Sequence, residues 1–102
     1  FLTEGERSDH YAAGMPLLYG WTWNYQLQQV FGAAQAPATN LFVAHNAEYS
    51  ASPAVRLRFA TNHDQSAWDA TPVTLFGGVE ASFAAQAAAV LMGGVPLMYS
   101  GQ

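Results

Sequence analysis

The sequence predicts an α/β fold in which parallel strands alternate with helices, and three observations lead there. Val55, Leu57 and Phe59 alternate with Arg56, Arg58 and Ala60, the period-two pattern of a strand. Short apolar runs beside glycines, Met15–Tyr19 after Gly14 and Val95–Tyr99 after Gly93-Gly94, suit further strands. Helix-like stretches stand between these runs, so the order strand, strand, helix pair, strand, helix, strand reads as parallel β/α units.

The elements follow in order. Phe1–Thr3 ends a first strand and delivers Glu4 to a loop, where Gly5 lets the backbone turn sharply. Asp9, His10 and Tyr11 continue that polar loop. Met15–Tyr19 is the second strand. Trp21-Thr22-Trp23-Asn24 leads into a helix over Tyr25–Gln35, with Leu27, Val30 and Phe31 at helical spacing. Ala36-Pro37-Ala38 breaks it, and Thr39 or Asn40 caps a second helix reaching Tyr49. Ser50–Pro53 is a turn-like link into the strand Ala54–Ala60. A loop holding Gln65, Ser66, Trp68 and Asp69 ends at Thr71-Pro72. An Ala-rich helix from Leu75 to Met92 follows, with small residues suited to close packing, and Gly93-Gly94 closes it as a C-cap pair.

Charged residues make up 10% of the chain and hydrophobic residues 51%, where an ordinary domain carries about 25% charged. A free-standing domain needs a more charged surface, whereas a slice of a larger one does not. Phe1 also begins inside a strand. The expectation is therefore a piece of a larger protein. A net charge of −4, with three Arg and no Lys, argues against a nucleic-acid surface. Without Cys there is no disulfide and no thiolate metal site. The apolar run Phe83–Met92 is too short and too Ala-rich for a membrane span. Nothing in the sequence assigns a cellular location.

The chemistry-bearing stretch is Phe59–Asp64, F-A-T-N-H-D. Its strand runs into four polar residues, and parallel α/β enzymes place their reactive groups in the loops after strand C-termini. The amide of Asn62, the imidazole of His63 and the carboxylate of Asp64 could together grip vicinal hydroxyls or stabilise positive charge. The alternative is that strand-end Asn and Asp simply make turns.

Three segments match one known pattern in order. F-A-T-N-H-D resembles the strand-seven motif of the α-amylase family of glycoside hydrolases, in which a Phe precedes Asn-His-Asp. L-T-E-G-E at Leu2–Glu6 resembles that family's strand-five segment, which ends in the acid/base glutamate. G-V-P-L-M-Y-S-G-Q at Gly94–Gln102 resembles its strand-eight segment. The resemblance spans the whole chain. It implies the C-terminal half of a catalytic (β/α)8 barrel over residues 1–102: a partial TIM barrel of strands five to eight, from an enzyme cleaving α-glucosidic bonds in starch-like glucans or maltooligosaccharides with retention.

By the same resemblance Glu4 is the acid/base, Asp64 supports the oxocarbenium-like transition state, and His63 and Asn62 hold the sugar. The family's nucleophile has no counterpart here, because its strand lies before Phe1. The chain alone is therefore expected to be inactive. Glu6 competes locally with Glu4 for the acid role. Gln65 stands where the family often has Glu, which implies altered subsite contacts. Tyr19, Trp21, Trp23 and Trp68 could stack on sugar rings, with ordinary packing as the alternative; Trp68 has polar neighbours and suits the rim of the site. Arg56 and Arg58 share strand parity with Asn62 and Asp64 and could pair with carboxylates of the barrel. His10, His45 and His63 lack metal-ligand spacing, so no metal site is read, and calcium enters only through the resemblance. Three rival readings stay open: an inactive homologue that binds or scaffolds, a transglycosylase of the same family, and an unrelated parallel α/β hydrolase in which His63 and Asp64 bind a metal.

Overall fold

Four strands line up side by side in chain order: β1 (Leu2–Thr3), β2 (Leu17–Tyr19), β3 (Val55–Arg58) and β4 (Val95–Pro96). All three pairings are parallel. The computed structural model that carries this sheet describes residues 1–101, so Gln102, the last residue of the strand-eight motif, lies outside the described residues. The strands are shorter than the sequence predicts. β3 stops at Arg58, and beyond its end the Asn24 side-chain amide donates to the carbonyls of Phe59 and Ala60. β4 ends at Pro96, although the Leu97 amide still donates to the Arg58 carbonyl at 2.7 Å.

The helices are α1 (Ser8–Ala12), α2 (Trp21–Phe31), α3 (Thr39–Ala51), α4 (Pro72–Phe76) and α5 (Val79–Leu91). Two expectations change here. The stretch around Asp9 is a short helix and not a loop. The helix after β2 starts four residues earlier than predicted, directly on Trp21.

The predicted Leu75–Met92 helix is really two. Thr71 caps α4, its hydroxyl accepting from the Thr74 amide at 3.3 Å, with Pro72 in the first helical turn. Gly77 then closes α4 in the left-handed conformation at φ 75°. After α5, Gly94 sits at φ 110°, and a Cβ there would lie 2.4 Å from the Arg56 carbonyl oxygen, so only glycine fits against β3.

The sheet has two different faces. Trp23 and Leu27 of α2, Leu41 and Ala44 of α3, Phe76 of α4, and Ala85 and Ala89 of α5 share one buried core with Ala60. The alanines let α5 approach closely. The register places Leu17 beside Val55 and Tyr19 beside Leu57, and on that other face Tyr19, Leu57 and Phe59 form a second cluster with Leu17, Trp21 and Leu97. Leu2, Val55 and Val95, at 50%, 43% and 42% exposure, leave its apolar surface partly uncovered.

Arg56 and Arg58 are buried, at 1% and 0% exposure. Their side chains run among the helices and loops, away from the strand-end carboxylates that their parity suggested. Arg58 Nη2 lies 2.7 Å from Glu48 Oε2 on α3. It also meets His45 Nδ1 at 3.3 Å, and its guanidinium stacks 4.7 Å over the Trp23 ring. Arg56 donates to the carbonyls of Glu48 and Glu6. Removing one member of a buried pair strands the other charge, at a cost of about 3–5 kcal/mol. Arg58→Ala should therefore lower the unfolding free energy by about that amount in chemical denaturation. The double variant Arg58→Ala/Glu48→Ala should lose less than the two single losses combined.

Candidate active site

Two loops build the site, one after β1 and one after β3. In the first, the Glu4 carbonyl accepts from Trp21 Nε1 at 2.7 Å and the Gly5 carbonyl accepts from the Tyr19 amide. The His10 ring packs over Gly5 so closely that a Cβ would lie 2.1 Å from its Cε1. Glu6 has a separate task. Its carboxylate accepts from the Thr22 amide at 2.7 Å and the Thr22 hydroxyl at 2.6 Å. That satisfies the free N-terminus of α2, where Gly20 has no side chain to offer. Glu6 is thus engaged as a clamp, and Glu4 is the carboxylate left facing outward, with 63% of its side chain exposed.

In the second loop Asn62 is fully buried. Its Oδ1 accepts from the Gln65 amide at 3.0 Å and its carbonyl from the Ser66 amide. It caps the following turn from inside, and its placement is that of a positioning residue. The turn Gln65–Asp69 is π-helical, a rare geometry often found at functional sites. His63 and Asp64 lie just ahead of it and remain about half exposed.

These two loops meet. His63 Nε2 lies 3.4 Å from Glu4 Oε1 and 3.4 Å from Asp64 Oδ1. One ligand atom from each of the three residues falls within 4.8 Å of the others. Two acceptor carboxylates flanking an imidazole at a strand-end edge can bind hydroxyls, hold or move a proton, and oppose positive charge. Two carboxylates and an imidazole are also donor types that a divalent cation takes.

Trp68 lies within the turn and is 84% exposed. Trp23 does not face the site, being wholly buried in the helical core. Gln65 turns inward as well: Nε2 donates to Asn24 Oδ1 at 2.9 Å, so it braces the loop instead of reaching across a subsite. Tyr99 and Ser100 are drawn to a different cavity of about 430 Å³, beside Phe83 and Gln86 of α5.

Sequence reasoning missed Asn24. Its amide bridges the end of β3, Gln28 and Gln65, and only an apolar helix face surrounding a polar residue could have drawn attention to it. Comparison with family models, with curated proteins and with solved structures returns no match for this chain.

Tyr19 reports on the site's charge. Burial raises its phenol above the ordinary value of 10.0, and the nearby carboxylates of Glu4 and Asp64 push it further up. The folded chain keeps this proton longer than the unfolded chain, so stability is fully present below pH 10 and falls as pH rises through the raised value. Spectrophotometric titration should show one late-ionising tyrosine. Glu4→Gln and Asp64→Asn should each bring it down only part of the way, because the burial effect remains.

Proposed function

We propose that this chain is the strand-five-to-eight portion of an α-amylase-type (β/α)8 barrel, and that the whole barrel cleaves α-glucosidic bonds with retention. The observation that carries the reading is the meeting of Glu4 with His63 and Asp64. Residues from opposite halves of the sequence converge at the C-terminal ends of β1 and β3, two strands separated only by β2. The sheet supports it further. Four parallel strands in chain order carry a buried helical core on one face, while the apolar other face is partly bare. A closed barrel buries such a face in its interior.

In this reading Glu4 donates a proton to the departing glycosidic oxygen and later takes one from the attacking water. Asp64 opposes the positive charge that develops on the sugar ring. His63, 3.4 Å from both carboxylates, holds a sugar hydroxyl between them. Asn62, buried beneath, keeps His63 and Asp64 at the edge. Trp21 fixes the backbone of Glu4, and Glu6 ties the same loop to α2. The nucleophilic carboxylate belongs to a part of the barrel outside this sequence, and the substrate is a maltooligosaccharide or starch-like glucan. A cation shared by Glu4, His63 and Asp64 is the second reading, favoured by the 4.8 Å grouping of their ligand atoms.

The 102-residue chain alone should turn over no maltooligosaccharide beyond a Glu4→Gln control. In the intact protein Glu4→Gln should lower kcat by about 10²–10⁴, and Asp64→Asn by about 10²–10³. Glu6→Gln should keep near-normal kcat and lose about 0.5–1 kcal/mol of stability, since the amide oxygen retains one of its two bonds. Equal losses from Glu6→Gln and Glu4→Gln would transfer the acid role or end the proposal. One equivalent of tightly held metal, lost in Asp64→Asn, would favour the cation instead.

A further inference from the structure

The loop that carries Glu4 is tied down at three successive carbonyls. Trp21 donates to that of Glu4 at 2.7 Å, the Tyr19 amide to that of Gly5 at 3.3 Å, and Arg56 to that of Glu6 at 3.3 Å. Those donors stand on α2, β2 and β3. Gly5 is the soft point among them, because a residue without a Cβ has the widest choice of backbone angles. Its own amide reaches the Thr3 hydroxyl at a long 3.4 Å.

The place where a side chain at position 5 would stand is filled by the imidazole of His10. A Cβ there would overlap Cε1 and lie 2.5 Å from Nδ1 and 3.4 Å from Nε2. His10 comes from α1, the short helix between β1 and β2. Its backbone is held at both ends: the amide donates to the Arg7 carbonyl at 3.1 Å, and the carbonyl accepts from the Met15 amide at 3.0 Å. The residue is half-buried, and Nδ1 is buried with no hydrogen-bond partner among the described residues. The Nδ1 edge of the ring therefore sits on Gly5 by shape and not by a hydrogen bond.

We propose that His10 is a positioning residue: seated on Gly5, its ring fixes the turn that presents Glu4 to His63 and Asp64. The proposal rests on the reading of Glu4 as the acid/base and adds what sets its direction. The Glu4 side chain is 63% exposed and meets His63 at 3.4 Å, so its backbone aims the carboxylate and side-chain packing contributes little. Without the ring, Gly5 regains its backbone freedom and Glu4 swings away from His63 and Asp64. A displacement of about 1 Å at a reacting group can cost on the order of 10²-fold in rate. Because ring shape does this, a planar ring of similar size should replace the imidazole, whereas a side chain that copies only its nitrogen should not.

The test introduces His10→Ala, His10→Phe, His10→Asn, Gly5→Ala and the double variant Gly5→Ala/His10→Ala into the intact protein. For each, kcat and KM on maltooligosaccharides are measured beside the unfolding midpoint. His10→Ala should lower kcat by about 10–100-fold while KM changes less than about threefold. His10→Phe should recover most of that loss, and His10→Asn should not. Gly5→Ala drives the ring off its seat and should cost about as much as His10→Ala, with the double variant no worse than either. A lowered unfolding midpoint with unchanged kcat marks a merely structural contact and overturns the proposal. Rescue by His10→Asn without rescue by His10→Phe overturns it too, as do losses that multiply in the double variant. If His10→Ala does not fold, Gly5→Ala compared with His10→Phe decides by the same criteria.

The Tyr19 phenol supplies a readout that needs no turnover. With Glu4 displaced, it should ionise at lower pH in His10→Ala than in the parent, as it should in Glu4→Gln. An intact protein without glycosidase activity ends the acid/base reading, and the Tyr19 titration then judges the positioning by itself. A lowered Tyr19 ionisation upholds it, and an unchanged one overturns it.

Discussion

Buried polar groups without partners are expensive, and this fold is arranged around meeting that demand at the end of β3. Where the strand stops, the carbonyls of Phe59 and Ala60 lose their ladder partners inside the protein. The Asn24 amide of α2 takes both, at 2.8 and 3.0 Å, and its oxygen accepts from Gln28 and Gln65. One side chain therefore fixes the first turns of α2, the end of the strand and the start of the next turn. Asn62, also buried, then caps that turn from within. His63 and Asp64 stay exposed because their neighbours on both sides are held inside.

The same logic governs the loop after β1. Glu6 completes the N-terminus of α2, Trp21 binds the Glu4 carbonyl, and Arg56 reaches from β3 to the Glu6 carbonyl at 3.3 Å. Both loops are thus referred to α2 and β3. The separation between Glu4 and Asp64 is set by a frame that does not depend on either carboxylate. A substitution at Glu4 or Asp64 leaves that frame intact, whereas one at Asn24 or Arg56 moves both loops together.

Beneath the site lies an aromatic group: Tyr19 and Trp21 stack with centroids 5.5 Å apart, and Phe59 meets each ring edge-on at 5.3 and 5.2 Å. Tyr19 is buried in this group, and its phenol responds to both carboxylates. Among the described residues no helix is long and apolar enough to cross a membrane, and the apolar surface that remains exposed is distributed over the sheet face and the outer helix faces.

The sequence by itself determined the alternation of strands and helices, which depends on local signals: period-two apolar residues with glycine and proline punctuation. Glu4, His63 and Asp64 are singled out by the motif resemblance, and the fold brings the three side chains together. Even the split between α4 and α5 is written in the sequence, in Thr71-Pro72 and Gly77-Gly78. Tertiary structure alone decided which polar residues turn inward. Asn62, Gln65, Arg56 and Arg58 look from the sequence like members of an exposed site, yet each is buried with its hydrogen bonds directed into the protein. Arg56 and Arg58 keep the regular parity of β3 and face the helices, whereas Asn62 and Gln65 lie beyond its end, where the π-helical turn takes over. Beyond that stopping point the free carbonyls are taken by Asn24, far away in the chain. No local pattern carries such information, because a carbonyl's partner is chosen by whichever donor the folded chain brings within reach.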